Sequence, residues 1–119
     1  MLHHADSKSS TGIPDSAFVT PNGTFVTVSE LARENLMTFR SNLVKMPVKR
    51  IANVMFQICL GLDYTHKKGL IHKDISPDNI LIAQDETIKL CDFGGASLGS
   101  STINIAGKKS YLAPEIRKE

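Results

Sequence analysis

The spacing of apolar residues divides the chain into segments of different character. The first sixteen positions are polar and carry no apolar period, which predicts a mobile tail. From Ala17 the pattern becomes β-rich. Ala17-Phe18-Val19 and Thr24-Phe25-Val26-Thr27-Val28 flank Thr20-Pro21-Asn22-Gly23, and an Asn-Gly pair between two such runs predicts a hairpin. After Ser29-Glu30-Leu31-Ala32 a short helix is expected, with Leu36 and Phe39 or Leu43 on its buried side.

A stronger helix begins near Pro47. Val48, Ile51, Met55, Ile58 and Leu62 recur every third or fourth residue up to Lys67-Lys68 and the stop residue Gly69. Val54, Cys59 and Leu60 widen this stripe beyond one face, so the helix is expected to be enclosed on several sides. Two strands follow, Asn79 to Ala83 and Thr87 to Cys91, joined by Gln84-Asp85-Glu86 at the length of a tight hairpin loop. From Asp92 to Glu119 no period is sustained until Leu112, which predicts a long loop. Loops of that length inside a compact domain are usually functional.

Composition narrows the class of protein without naming a partner. At 119 residues, 41% hydrophobic and 22% charged, the chain fits one ordinary globular domain or part of one. Its formal charge of +2 is spread without a block of like charges, so neither a nucleic-acid arm nor a membrane-binding arm is expected. The longest apolar run, Ile80 to Ala83, is far too short to span a bilayer, and the first residues lack the apolar core of a signal peptide. A soluble, intracellular protein is expected. Cys59 and Cys91 show no metal-ligand spacing, and the His3-His4 pair in a polar terminus has no fixed geometry to make a site.

The chemistry is concentrated in His72-Lys73-Asp74-Ile75-Ser76-Pro77-Asp78-Asn79, in Asp92-Phe93-Gly94 and in Ala113-Pro114-Glu115. Each is a weak signal alone. Jointly they specify several residue identities at set offsets, and at roughly one in twenty per residue coincidence is negligible. Asp74 is a candidate general base, while Asn79 and Asp92 are hard oxygen ligands suited to magnesium. Asp74 and Asn79 bracket a loop and Asp92 follows the hairpin, so the hairpin should bring all three to one edge.

In these clusters the chain resembles the eukaryotic-type protein kinase family, in its catalytic loop, its metal-binding Asp-Phe-Gly and the end of its activation segment. The resemblance implies an α+β, protein kinase-like fold in partial form: the hairpin and hinge of the small lobe plus the catalytic-loop portion of the mainly helical large lobe. It divides residues 17–119 into hairpin and hinge (17–32), helices (33–69), catalytic loop and hairpin (70–91) and activation segment (92–115). It further implies transfer of the ATP γ-phosphate to a hydroxyl of a protein substrate, with Mg2+ held by Asn79 and Asp92. Pro77 resembles serine/threonine rather than tyrosine kinases.

By the same resemblance, the run from Phe25 to Ala32 looks like the fifth strand and hinge. The backbones of Glu30 and Ala32 would then bond the adenine edge above Leu81, and Ser29 would guard the pocket behind it. His72 and Phe93 match positions that stack within the domain, and His66 is expected to be a packing residue of the long helix. Cys91 is weighed as a reactive thiol against an inert buried strand residue, with the inert reading preferred.

Several positions depart from the family pattern. Lys73 replaces the usual arginine before the catalytic aspartate and would hold an activation-segment phosphate less well. Ser97, Ser100, Ser101, Thr102 and Ser110 are the available acceptors, with Thr102 favoured by position. Ser76 stands where serine/threonine kinases place a phosphate-contacting lysine, and Lys108 stands where they generally have a threonine facing the catalytic aspartate. Lys108 could therefore supply the cation that Ser76 does not. Nothing matches the glycine-rich loop, the third-strand lysine or its glutamate partner, so an incomplete catalytic domain is expected. A non-catalytic, kinase-derived binding or regulatory module, acting with a regulatory or complementing protein, is the alternative.

Overall fold

The structure is a computed structural model and describes residues 16–43, 45–99 and 107–117. Strands β1 (Ser16–Val19) and β2 (Phe25–Val28) pair antiparallel with Val19 opposite Phe25. The turn closes through Gly23 N–H to the Thr20 carbonyl (2.9 Å), and Gly23 adopts φ +84°, a conformation open to glycine. The Asn-Gly pair thus sits inside a longer loop rather than forming a two-residue turn. Ser16, assigned to the tail by its composition, belongs to β1; the rest of that tail, including His3 and His4, lies outside the described residues.

Strand β3 (Glu34–Asn35) leads directly into helix α1 (Leu36–Ser41). Asn35 caps the helix, its Oδ1 accepting from Thr38 N–H at 2.8 Å. Helix α2 (Val48–Lys67) starts after Pro47, which has no N–H to leave unsatisfied there, and ends at Gly69 with φ +74°. Strand β4 (Leu70–Ile71), a 3-10 turn (Pro77–Asn79), β5 (Ile80–Ile82), β6 (Ile88–Leu90) and β7 (Ser97–Leu98) follow, then a second 3-10 turn (Lys109–Tyr111) and the short helix α3 (Pro114–Arg117). The described sheets are β1-β2, β3-β5-β6 and β4-β7, all antiparallel.

The core lies between α2 and the β5-β6 hairpin. Alternation along the strands points Ile80, Ile82, Ile88 and Leu90 to one face, where Val54 and Ile58 of α2 meet them. Leu36, Phe39, Leu62, Ile75 and Phe93 close its margin. Full burial of such side chains stabilises by about 1.5–3 kcal/mol each. Leu81 and Lys89, opposite one another in register, occupy the other face.

One core residue is polar for a specific reason. Gln57 of α2, 6% exposed, accepts the Ile88 N–H at 2.8 Å through Oε1 and donates through Nε2 to Asn53 at 2.6 Å. It satisfies a backbone group of β6 that the described sheet leaves facing the helix.

The structure corrects several expectations. Helix α2 is buried along Val54, Gln57, Ile58, Gly61 and Thr65, whereas Val48, Ile51 and Met55 are exposed together with Phe56. The packed edge of a helix is set by what it meets, and here the hairpin covers only one side. His66 is exposed rather than a packing residue, and Leu43 is likewise exposed. The strands at the hairpin are one residue shorter at each end than expected. The segment after Asp92 is not a uniform loop, since β7, the second 3-10 turn and α3 punctuate it. No helix among the described residues is long and apolar enough to cross a membrane.

Candidate active site

The loop between β4 and β5 is organised around a buried histidine. His72 is 1% exposed. Its Nε2 lies 2.7 Å from the Cys91 carbonyl and its Nδ1 lies 3.1 Å from the Asp74 N–H. A carbonyl only accepts and an amide N–H only donates, so the ring is the neutral tautomer with the proton on Nε2. Phe93 packs against it with ring centroids 4.7 Å apart at 60°. His72 thereby locks the backbone of Asp74 to the residue that precedes Asp92.

Two backbone positions show how tightly this edge is constrained. Lys73 (φ 72°) and Asp92 (φ 61°) are non-glycine residues in the left-handed region, a conformation that costs roughly 1–2 kcal/mol for an L-residue. The surrounding hydrogen bonds hold them there, and each turns the chain next to a candidate carboxylate.

Asn79 joins the parts. Its Nδ2 donates to both the backbone carbonyl and the Oδ2 of Asp74, each at 2.9 Å. Its own N–H bonds the Ser76 carbonyl at 2.9 Å, and its carbonyl accepts the Cys91 N–H at 3.0 Å. With Nδ2 committed to Asp74, the acceptor Oδ1 is the end of this amide suited to a metal ion. Asp92 is exposed, and among the described residues its Oδ1 receives a long bond from Gly94 N–H at 3.4 Å. No group of three or more His, Cys, Asp or Glu side chains among the described residues could hold a metal. An amide oxygen plus one carboxylate is nonetheless a donor set that fits magnesium, which keeps waters and phosphate oxygens as its other ligands.

Lys108 enters this loop from the distant end of the chain. Its ammonium lies 3.3 and 3.2 Å from the two carboxylate oxygens of Asp74, 3.2 Å from Ser76 Oγ and 3.1 Å from Asp78 Oδ2. Its backbone N–H also donates to Asp74 Oδ1 at 3.2 Å. Ser76 Oγ in turn donates to Asp78 Oδ1 at 2.7 Å. Desolvation works to raise the Asp74 carboxyl, but the Lys108 side chain and backbone bonds, Asn79 and the Lys108 charge outweigh it and hold the group below its usual value. Asp78 is also held low, first by the Ser76 hydroxyl and then by Lys108. Lys108 is pushed up, chiefly by its bond to Asp78 against some desolvation and with help from Asp74.

Of the residues expected at the nucleotide, Leu81 lies on the β5-β6 hairpin, whereas Glu30 and Ala32 lie on the segment between β2 and β3. Leu81 is half-buried on the face of β5 away from the core, and Ala32 is half-buried ahead of β3. Glu30 is exposed, and its side chain pairs with Lys89 at 2.7 Å. Lys89 is the residue opposite Leu81, so this ion pair links the segment around Glu30 to the face that carries Leu81. Burial pushes the Cys91 thiol up, aided by the Asp92 and Asp78 charges and opposed by Lys108, which agrees with an inert thiol. Of the candidate phosphate acceptors, Ser110 is exposed, whereas Ser97 Oγ is enclosed on β7 without a partner among the described residues. Ser100, Ser101 and Thr102 lie outside the described residues.

Asp78 and Gln57 were not singled out by sequence reasoning. A polar residue at the Val54-Gln57-Ile58-Gly61 spacing is a signal that could have found Gln57. Asp78 stood inside the recognised cluster with nothing to mark its partner.

Asp74 tied to the neighbouring Asn79, with Asp92 after the hairpin and ahead of Phe93-Gly94, is the arrangement that the sequence clusters describe. The protein kinase domain model matches residues 13–119, and the chain belongs to the protein kinase family. It is 35% identical over 99 residues to serine/threonine-protein kinase TIO of Arabidopsis thaliana, covering 80% of this chain and 8% of that protein. It is 32% identical over 104 residues to serine/threonine-protein kinase sck2 of Schizosaccharomyces pombe, covering 84% and 16%. It is 31% identical over 105 residues to protein kinase C zeta type of Oryctolagus cuniculus, covering 85% and 18%. The chain thus spans less than a fifth of the length of these relatives, and its fold is a partial kinase domain with mixed α and β elements.

Proposed function

We propose that this chain carries the catalytic-loop portion of an intracellular serine/threonine protein kinase that uses ATP and magnesium. Asp74 orients the substrate hydroxyl and receives its proton as the oxygen attacks the γ-phosphorus and the bond to the β-phosphate oxygen breaks. A carboxylate held ionised below its usual value is a weak base, so its first service is orientation. Asn79 and Asp92 hold magnesium, which when bound neutralises charge on the triphosphate. The backbones of Glu30 and Ala32 take the adenine edge, with Leu81 as the floor.

The observation that carries the reading is the position of Lys108, whose ammonium spans Asp74 and the Ser76 hydroxyl. Lys108 supplies the cation for the transferred phosphate that Ser76 does not. In the full-length protein, Lys108→Met is expected to lower phosphotransfer on the order of 100-fold and Lys109→Met only slightly. Equal small losses would overturn the role of Lys108. Asp74→Asn should abolish transfer while sparing magnesium-dependent ATP binding, and retained transfer would overturn the kinase reading itself.

A second reading, a non-catalytic module that binds a complementing protein, is favoured by the exposed apolar face of α2. Magnesium-ATP titration separates the two, since nucleotide binding without transfer in the full-length protein supports the module.

A further inference from the structure

We propose that Asp78 is a positioning residue for Lys108, acting together with the Ser76 hydroxyl; this rests on the reading that Lys108 serves phosphoryl transfer. A lysine head group on a four-carbon stem is a mobile point charge with about 2 kcal/mol of rotamer entropy, unlike the fixed fork of arginine. Lys108 also comes from a segment 34 residues beyond Asp74 and must be fixed relative to a loop on which it does not reside.

Its ammonium has three donors, and the structure provides partners on three sides: the Asp74 carboxylate, Ser76 Oγ and, as the shortest contact, Asp78 Oδ2 at 3.1 Å. Asp78 is itself fixed. Ser76 Oγ donates its only proton to Asp78 Oδ1 at 2.7 Å, and its lone pairs then face the lysine ammonium. The serine that replaces a basic residue therefore orients the carboxylate that holds the borrowed cation.

Charge balance gives the arrangement its consequence. Against Asp74 alone, Lys108 would form a closed neutral pair and occupy the carboxylate that must meet the substrate hydroxyl. With Asp78 present, the cation is shared between two carboxylates and the cluster keeps one net negative charge, so a substrate hydroxyl can displace a lysine contact at Asp74 while Asp78 keeps the ammonium in place. The side chains of Asp74, Asp78 and Lys108 are 20%, 33% and 43% exposed, open enough for a substrate to approach.

The test is a double-mutant cycle in the full-length protein, with kcat and the KM for ATP measured for Asp78→Asn, Lys108→Met and the pair, and with thermal midpoints as the folding control. Asp78→Asn is expected to lower kcat about tenfold with KM changed less than about twofold, to cost nothing further once Lys108 is methionine, and to be largely restored by Asp78→Glu. An Asp78→Asn loss of the same size in both backgrounds would overturn the positioning role while leaving Lys108 its own. Activity unchanged by Asp78→Asn would also overturn it. Lys108→Met matching Lys109→Met would instead overturn the reading beneath it.

Discussion

Gly107 is pressed against the carbonyl of Lys73: a Cβ at position 107 would stand 2.3 Å from that oxygen and 3.2 Å from Leu112 Cδ2. Gly107 also has φ +97°, which penalises any side chain. The close approach places the following residue, Lys108, at Asp74. Gly107→Ala is therefore expected to displace Lys108 and reduce phosphotransfer of the full-length protein to the level of Lys108→Met. Gly23→Ala is the control, because that site also has positive φ but nothing within 4 Å, and it should cost only about 1 kcal/mol in chemical denaturation with activity retained. Equal activity of the two variants would show that the approach at Gly107 does not place the lysine.

Acid and base should dissolve the Lys108 cluster from opposite ends. Asp74 and Asp78 are held below 3.8, so the stability they contribute is complete above that value and is lost as pH falls through their lower folded values. Lys108 is raised above 10.5, so its contribution is complete below that value and is lost as pH rises through its higher folded value. Between these limits the cluster should be insensitive to pH. Carboxyl carbon NMR should show both aspartates titrating below 3.8 and moving upward in Lys108→Met; unmoved midpoints would contradict the contacts.

Gln57 should be worth more than its polarity suggests. Gln57→Leu keeps the volume but strands the Ile88 N–H against the helix, at an expected cost of about 1–3 kcal/mol in urea denaturation. Asn53→Ala removes only the partner of the amide nitrogen and should cost less. The reverse order would mean that the bond to Ile88 does not hold the hairpin to α2.

Two apolar residues on the same helix should respond oppositely to truncation. Ile58 is 5% exposed within the core, and Ile58→Ala should cost about 2–5 kcal/mol. Met55 is 52% exposed, and Met55→Ala should stay within about 0.5 kcal/mol. Denaturation of both variants checks this, and a large loss at Met55 would mean that this face is covered.

Legibility followed the length scale of each interaction. The hairpin at 16–28, helix α2 and the β5-β6 hairpin were readable because each is a local periodicity with its own turn or stop residue. Strands β3, β4 and β7 were not, because two-residue strands have no pattern and exist only through partners far along the chain. Asp74, Asn79 and Asp92 were readable as a set through their spacing. The face that α2 buries was misread, since the periodicity of an all-round apolar helix is nearly satisfied by more than one face.

By itself the sequence determined the residue identities that carry the kinase resemblance and the approximate elements that hold them, because both are written in short spacings. The resemblance had already turned Lys108 toward Asp74, but only the tertiary structure decided that Asp78 shares its ammonium and that His72 binds the loop around Asp74 to Cys91. Those relations join residues 19 to 34 positions apart, farther than any turn-by-turn spacing reaches. They depend on which backbone groups and carboxylates meet once the hairpin packs on α2, and no periodicity records that meeting.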